Sequence, residues 1–296
     1  MPDLPAPIVV VCDHNGRLTG DVDASPVPWW SVGKTCIAAC ALVLVARGRL
    51  ALDASLPHRT YTLRHLLQHT SGLGSYTYRE EYNAAIERND PPWSDDELLA
   101  RVRLDPFLFE PGHGWSYSNT GFFLLRRLIE QTVEQDIDAA LRALVLLPLG
   151  IEHTRIARSP ADLAACAWGN ARAYHPLWVY QGLLVGPASD AGLFMHRLLR
   201  GDLLPPDLQA VMRDGRILDV SLKAPWRSAS YGLGLMIGTA EKVGKSMGHS
   251  GQGPGSVAAV QHFCDLAPPC TVAAFAAADD TSVVERLAVA TAAGRS

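Results

Sequence analysis

The chain has 296 residues, of which 48% are hydrophobic and 19% are charged, so it can bury a large core and is not an intrinsically disordered protein. Its formal net charge of −4 is spread along the sequence without a block of Lys or Arg, which excludes the charge pattern of nucleic-acid-binding and membrane-surface proteins. These numbers favour a small-molecule partner.

The first segment, MPDLPAPIVVVCDHNG, predicts neither a secretory leader nor a membrane span. Its apolar run PIVVVC is too short for either, and prolines and an aspartate stand where a leader has basic residues. We therefore expect a cytoplasmic protein. The runs APIVVVCD and GRLTGDV are joined by HNG, which is typical of a β-hairpin.

Six cysteines are scattered through mostly apolar segments, and without a leader they are interpreted as reduced core residues. Cys264 and Cys270 flank a possible turn, DLAPP, so a disulfide between these two stays open.

The segment PWWSVGKTCIAACALVLVARG predicts a helix over about residues 32–47 that is buried nearly all round, because it has almost no polar face and Gly48 follows it. Lys34 stands three residues after Ser31, and residues i and i+3 are neighbours on a helix. The start of a helix stabilises an anion that develops on a serine there, and burial lowers the pKa of a lysine. This S-x-x-K pattern is typical of serine acyl-transfer enzymes. A helix-capping Ser31 with Lys34 reaching solvent fits the same spacing.

The middle of the chain predicts helices and loops, including TLRHLLQHTSGL, SDDELLARVR with Ser94 as N-cap, and NTGFFLLRRLIEQTVEQ. Strand-like runs return as YGLGLMIG, GSVAAVQHF and TVAAFAAAD, before a last helix, SVVERLAVATAAG. This order predicts an α+β fold: an antiparallel sheet flanked by helices and built from both chain termini, with an inserted, mostly helical domain. We assign residues 1–60 and 186–296 to the sheet domain and residues 61–185 to the helical domain.

Tyr117-Ser118-Asn119, in PGHGWSYSNTGFF, precedes an amphipathic helix and can present a phenol and a carboxamide to a cleft. The phenol can serve as a general base only if a cation such as Lys34 lowers its pKa. Asn119 could then hold both Lys34 and a substrate amide. A helix cap beside a buried tyrosine is the alternative for this triplet.

His249-Ser250-Gly251, in GHSGQGPGSVAAV, enters a predicted strand. Glycine lets a substrate lie close to the strand, and a backbone N–H there can join that of Ser31 in an oxyanion hole. A glycine-rich turn between two strands explains the same residues.

In this order, the three motifs resemble the serine β-lactamase and penicillin-binding protein superfamily, specifically its class C branch with related esterases and D-aminopeptidases. The similarity covers most of the chain and includes WWSVGKTCIAACALVLVARG, TLRHLLQHTSGL, PGHGWSYSNTGFFLLRRLIE and MGHSGQGPGS. The resemblance implies a serine hydrolase that acts on a small ester or amide through an acyl-enzyme. It implies no cofactor and no metal.

The same resemblance implies a role for each matching residue. Ser31 is the acylated nucleophile, Lys34 its proton partner and Tyr117 the general base. Asn119 orients the substrate amide, and the backbone N–H groups of Ser31 and Gln252 form the oxyanion hole.

His249, Ser250, Gly251 and Gln252 form the expected substrate-binding strand, in which His249 departs from the family pattern. β-Lactamases of this superfamily usually have lysine there, a fixed positive charge for a substrate carboxylate. Histidine supplies such a charge only partially near neutral pH. We therefore expect an esterase or D-amino-acid peptidase with weak or no β-lactamase activity.

Other functions stay open: a true class C-like β-lactamase or DD-peptidase, and a catalytically silent binding module of the same fold. GHSGQG falls short of the G-x-S-x-G nucleophile elbow, because its fifth residue is Gln252 and a strand follows. His65 and His69 have the spacing of a zinc helix, but the glutamate between them is missing, so packing and capping roles are expected. The sequence does not indicate an oligomeric state.

Overall fold

The computed structural model describes residues 5–102, 104, 106–170 and 173–295. Residues 1–4, which entered the expectation about a leader, lie outside the described residues. The strands are β1 Ile8–Cys12, β2 Leu18–Gly20, β3 Val27–Pro28, β4 Arg155–Ile156, β5 Leu184–Gly186, β6 Arg216–Ile217, β7 Trp226–Tyr231, β8 Met236–Ala240, β9 Gly244–Gly253, β10 Ser256–Phe263 and β11 Cys270–Ala276.

The α-helices are α1 Gly33–Ala46, α2 Leu63–Leu67, α3 Glu80–Glu87, α4 Asp95–Val102, α5 Asn119–Val133, α6 Ile137–Leu141, α7 Pro160–Ala164, α8 Ala188–Arg200, α9 Pro206–Arg213 and α10 Ser282–Ala293. Short 3₁₀ turns cover Trp30–Val32, Tyr76–Tyr78 and Pro176–Trp178, and a π-helical turn, Arg142–Leu146, follows α6.

Within the described residues, an eight-stranded antiparallel sheet has the order β2-β1-β11-β10-β9-β8-β7-β6. β1 pairs with both β2 and β11, so the two ends of the chain meet in one sheet. Helix α8 packs on one face and α10 on the other. The α+β prediction, with a sheet built from both termini, is therefore confirmed.

The sheet is covered on both faces because its strands are apolar on both sides. In β10, Ala258 and Val260 belong to the core shared with α1 and α8, whereas Val257 and Ala259 belong to the core under α10. Alternating residues of a strand point to opposite faces, so each face has its own apolar layer.

Helix α1 is buried from Gly33 to Leu44, as its uniformly apolar sequence predicts. Gly48, with a φ of +66°, follows the helix end in a conformation that glycine adopts without strain. Ser94 caps α4 as expected, because its Oγ accepts a hydrogen bond from Glu97 N.

A second, three-stranded sheet has the order β3-β5-β4 and was not predicted from the sequence. Its strands have two or three residues each, too few for a recognisable alternation of polar and apolar side chains. Because β4 lies inside the segment 61–185, that segment is not purely helical. The division into two domains stays a prediction.

All six cysteines are free, so Cys264 and Cys270 do not form a disulfide. Cys270 starts β11 opposite Phe263, whereas the thiol of Cys264 lies 3.3 Å from the carbonyl oxygen of Lys245.

Candidate active site

Ser31 lies in the 3₁₀ turn Trp30–Val32, which continues directly into α1. Trp30 has a φ of +46°, a strained conformation for a non-glycine residue. Its indole donates a hydrogen bond of 2.9 Å to Ser256 Oγ, which anchors it to β10. The turn therefore holds Ser31 at the start of α1 and next to the sheet.

Strand β9 passes against this turn where it is no longer paired with β8. Its pairing with β8 ends at Gly248, and residues 249–253 follow. A Cβ at Gly251 would lie 2.6 Å from the backbone nitrogen of Ser31. Only glycine allows this approach, because real Cβ atoms do not come so close to another heavy atom. Gln252 follows immediately, which suits the expectation that its backbone N–H and that of Ser31 together form an oxyanion hole.

Lys34 is fully buried, and its ammonium group joins two of the predicted site residues. Nζ lies 3.2 Å from Ser31 Oγ and 2.7 Å from Asn119 Oδ1. It also lies 5.0 Å from the ring centroid of Tyr117. Burial lowers the pKa of Lys34 from 10.5 to about 7, so the neutral amine is well populated at neutral pH. This group can take a proton from Ser31.

Tyr117 is close to Lys34 but does not meet the condition set for a general base. Its hydroxyl is buried and forms no hydrogen bond with the residues described. Burial raises the pKa of Tyr117 well above its ordinary value, and the nearby Ser31 hydroxyl offsets only part of that rise. The expectation that Lys34 lowers this pKa is therefore not met. Lys34 itself has the pKa of a base.

Asn119, the first residue of α5, holds Lys34 in place. Its Oδ1 accepts the bond from Lys34, while its Nδ2 lies 3.3 Å from Ser75 Oγ and 3.2 Å from Thr77 Oγ1. Gln181 Nε2 lies 3.5 Å from the same Oδ1. The amide is thus fixed from several sides and orients Lys34 toward Ser31.

His249 has no exposed charge to offer, which corrects the expectation of a partial positive charge. Its ring is fully buried, with Nε2 2.9 Å from the Tyr231 hydroxyl and Nδ1 2.6 Å from the Ser250 carbonyl oxygen. A carbonyl can only accept, so Nδ1 carries the proton and Nε2 accepts from Tyr231. Burial and the neighbouring Lys34 lower the pKa of His249 to about 3.

Ser250 and Gln252 direct their side chains away from Ser31. They pair with Ala259 and Val257, which face α10. Ser250 lines a separate cavity of about 160 Å³ with Trp115 and Trp226, and Gln252 Nε2 donates to the carbonyl oxygen of Asp279. The structure brings together Ser31, Lys34, Tyr117, Asn119 and the backbone of β9, but not these two side chains.

A cavity of about 290 Å³ opens beside Ser31 and Asn119. Its walls include the aromatic residues Trp30, Tyr76, Tyr82, Tyr174 and Trp178. The polar lining consists of hydroxyl and amide groups, and no described residue that lines it has a charged side chain. This cavity suits a neutral, apolar group.

Five residues near the site were not predicted to have a role there: His69, Ser75, Thr77, Gln181 and Tyr231. The first three belong to HTSGLGSYT, which overlaps the end of TLRHLLQHTSGL, a segment that carried the family resemblance, so that phrase was the available signal. Nothing local marks the last two.

His65 caps α2 together with Thr62, as a packing and capping role predicts. No three His, Cys, Asp or Glu residues form a group that could hold a metal ion in the part of the chain that the structure describes. Among the described helices, none combines the length and apolarity needed to cross a bilayer.

Two histidines of the sheet, the buried His249 and the half-buried His262, make stability depend on pH. Burial lowers the pKa of His262 to about 4 and contributes most to the lowered pKa of His249. Below an ordinary histidine pKa of 6.5 the unfolded chain binds protons that the folded chain does not, so stability falls with pH. At pH 5 we expect each of these two histidines to lower the free energy of unfolding by about 2 kcal/mol relative to an exposed histidine.

Urea unfolding at pH 7 and pH 5 measures this cost. The variant H262Q should lose about 2 kcal/mol less than the wild type between the two pH values. H14Q, at an exposed histidine, should behave like the wild type. Equal losses in H262Q and H14Q would contradict the assignment.

Comparisons with known proteins identify the family of this chain. The family described as "Beta-lactamase" matches residues 21–264. The chain is 37% identical to Esterase EstB of Burkholderia gladioli over 143 residues, which cover 41% of this chain and 36% of that protein. It is 27% identical to Penicillin-binding protein 4* of Bacillus subtilis (strain 168) over 225 residues, which cover 67% of this chain and 48% of that protein. The matches thus span less than half of each relative.

Solved structures with the same fold cover nearly the whole chain. A D-amino acid amidase from Ochrobactrum anthropi SV3, in complex with L-phenylalanine, superposes with a TM-score of 0.79 at 20% identity, covering 98% of this chain and 95% of that one. A D-stereospecific amidohydrolase from Streptomyces sp. gives 0.76 at 23% identity, covering 96% and 94%. The family match over residues 21–264 shows that the chain belongs to the β-lactamase family.

Proposed function

We propose that this protein is a serine hydrolase that cleaves small, neutral esters or amides through an acyl-enzyme on Ser31. The observation that carries the proposal is the buried Lys34, whose Nζ lies between Ser31 Oγ and Asn119 Oδ1 and whose pKa is lowered to about 7. A serine is a weak nucleophile unless a base takes its proton. Lys34 is such a base within hydrogen-bonding distance.

In the first half of the reaction, Ser31 Oγ attacks the acyl carbon and its proton passes to neutral Lys34. The carbonyl oxygen becomes an oxyanion beside the backbone N–H groups of Ser31 and Gln252. The bond to the leaving group then breaks, and the leaving oxygen or nitrogen takes up the proton from Lys34. The Tyr117 hydroxyl, with its ring 5.0 Å from Nζ, relays that proton.

In the second half, water replaces the leaving group. It gives a proton to Lys34 by the same route, attacks the acyl carbon and forms a new C–O bond as the bond to Ser31 Oγ breaks. Ser31 regains its proton from Lys34, and the carboxylic acid leaves. The Lys34 amine is therefore restored after each turnover.

The aromatic cavity beside Ser31 supports a neutral, apolar acyl group as the substrate. Burying an unpaired charge there would cost free energy, because none of its described lining residues is charged. The neutral, buried His249 itself supplies no cation for the carboxylate of a β-lactam, which supports weak β-lactamase activity at most. An esterase and D-amino acid amidases among the similar proteins fit the same substrate class.

The six free cysteines favour a reducing compartment such as the cytoplasm.

A panel of p-nitrophenyl esters with one leaving group tests the proposal. p-Nitrophenyl phenylacetate should be hydrolysed with the highest kcat/KM. A similar ester with a terminal carboxylate on its acyl group should have a kcat/KM at least about 10-fold lower. A p-nitroanilide and a chromogenic cephalosporin are assayed alongside. Fast cephalosporin cleavage would restore the β-lactamase alternative, and absence of turnover with every substrate would favour a binding module.

Tyr117→Phe removes the proposed proton relay while it keeps the ring. We expect kcat for the p-nitroanilide to fall by about 10²-fold, because an amine leaving group needs a proton. For the p-nitrophenyl esters kcat should fall less, since nitrophenolate leaves without taking up a proton. Y78F, at an exposed tyrosine, is the control. Equal losses for the anilide and the ester would contradict the relay to the leaving group.

A further inference from the structure

His69 lies against Tyr117, although the proposed reaction gives it no role. It is 1% exposed, and its backbone has a φ of +59°, a left-handed conformation that is uncommon for residues other than glycine. Residues held in such a conformation need support from their surroundings and concentrate at functional sites. The contacts of His69 therefore bear on the site beside it.

Two hydrogen bonds connect His69 to the residues on either side of Tyr117. Ser116 N donates to the backbone carbonyl oxygen of His69 over 3.0 Å, and Ser118 N donates to its Nδ1 over 3.1 Å. One residue thus accepts from both neighbours of the phenol. The backbone of Tyr117 cannot shift without breaking one of these bonds.

The bond from Ser118 also fixes the charge and the tautomer of the imidazole. A backbone N–H can only donate, so Nδ1 is unprotonated and the ring proton is on Nε2. Burial, together with the nearby Lys34 and His249, lowers the pKa of His69 well below its ordinary value. His69 therefore stays a neutral acceptor at neutral pH.

The ring of His69 packs among aromatic rings of the site. Its centroid lies 4.3 Å from that of Tyr117, 4.7 Å from that of Tyr231 and 5.1 Å from that of Phe122. Its Nε2 has no hydrogen-bond partner among the residues described, so the ring is held by Nδ1 and by these packing contacts. Such packing limits the positions that the Tyr117 ring can take.

The same contact reaches Asn119 through the start of α5. Ser118 is the N-cap of α5, and its Oγ accepts a hydrogen bond from Gly121 N. Because His69 binds the backbone of this N-cap, it also sets the position of the next residue, Asn119, whose Oδ1 lies 2.7 Å from Lys34 Nζ.

We propose that His69 is a positioning residue for the Ser31 reaction: its Nδ1 and its backbone carbonyl fix Tyr117 and, through Ser118, orient Asn119 against Lys34. This inference rests on the proposed function. Loss of the Nδ1 acceptor loosens the proton relay without removing any reacting group. A misplacement of about 1 Å is enough to cost about 10²-fold in rate.

Three variants of His69 test the proposal. Asn places its amide oxygen near the position of Nδ1 and tolerates a positive φ, whereas Gln reaches the position of Nε2 and Leu has no acceptor. We expect kcat for the p-nitroanilide to fall by about 10-fold to 10²-fold in H69L and H69Q, with little change in KM. H69N should recover most of the loss. H65L, at the other histidine of HLLQH, is the control and should keep its activity.

A double-mutant cycle with Tyr117→Phe separates positioning from a general loss of structure. If His69 acts in part through Tyr117, the difference in activity between H69N and H69Q should shrink once the phenol is absent, and the remainder acts through Ser118 and Asn119. An unchanged kcat in H69Q, equal activity of H69N and H69Q with Tyr117 intact, or the same difference between them in the Tyr117→Phe background would each overturn the proposal. Should H69L not fold, the comparison of H69N with H69Q still decides. A wild type without Ser31-dependent turnover would instead refute the proposed function.

Discussion

Ser31→Ala is expected to lose nearly all turnover of the p-nitrophenyl esters, by about 10⁴-fold or more in kcat. The change removes Ser31 Oγ, the atom that bonds to the acyl carbon in the proposed acyl-enzyme, while Lys34, Asn119 and the backbone of β9 stay in place. Residual turnover would come from oxyanion stabilisation and binding alone. Initial rates under saturating ester, with protein purified from a host that lacks the wild-type gene, measure the loss.

Three observations separate loss of the nucleophile from loss of structure. The melting temperature of S31A should stay close to that of the wild type, because a half-buried hydroxyl is removed. S228A, at an exposed serine on β7, should keep its full activity. A fluorophosphonate probe followed by peptide mass spectrometry should label Ser31 in the wild type and leave S31A unlabelled. Labelling of Ser250 in S31A would contradict the assignment.

The pair Ser31 and Lys34 could be predicted because its geometry is local. Three residues along a helix bring two side chains together whatever surrounds them, and the apolar sequence of α1 predicted the burial that lowers the pKa of Lys34. The contact of Tyr117 and Asn119 with Lys34 was a hypothesis from the Tyr-x-Asn motif, strengthened by the resemblance, since 85 residues separate Lys34 from Asn119. The sequence shows no pattern that fixes a contact over that separation.

His249 shows where the sequence argument failed. A histidine in a strand can be exposed and charged or buried and neutral, and the choice depends on residues from other strands. Here Tyr231, at the end of β7, reaches its Nε2, although β8 lies between β7 and β9. The expectation of a partial positive charge on His249 was wrong because the tertiary fold, and not the local sequence, brings Tyr231 to its ring.

The pKa of Tyr117 differs from its prediction for a similar reason. A cation beside a phenol lowers its pKa, whereas burial raises it, and the sequence gives no measure of their relative size. In the folded chain burial dominates, and it also lowers the charge that Lys34 carries. The same burial that prepares Lys34 as a base therefore weakens Tyr117 as one.

Lys34→Met should abolish turnover and stabilise the fold at the same time. Without the amine, Ser31 has no base, and we expect kcat to fall by about 10³-fold or more. The folded chain also no longer has to bury an amine whose ordinary pKa is 10.5 and whose folded pKa is about 7. That burial costs on the order of 4 kcal/mol at pH 7. In K34M the side-chain oxygens of Ser31 and Asn119 lose their hydrogen bonds to Lys34, which offsets part of the gain in stability.

The pH dependence of this gain identifies its cause. Between pH 7 and pH 10.5 the unfolded wild type binds a proton that the folded Lys34 has released, so wild-type stability rises with pH. The advantage of K34M, measured by urea unfolding, should therefore shrink by about 2 kcal/mol between pH 7 and pH 9. K245M, at an exposed lysine of β9, should show no such trend. A pH-independent gain would mean that improved packing of methionine, and not the buried amine, explains the difference, and Lys34 would then lack the lowered pKa on which its role as base depends.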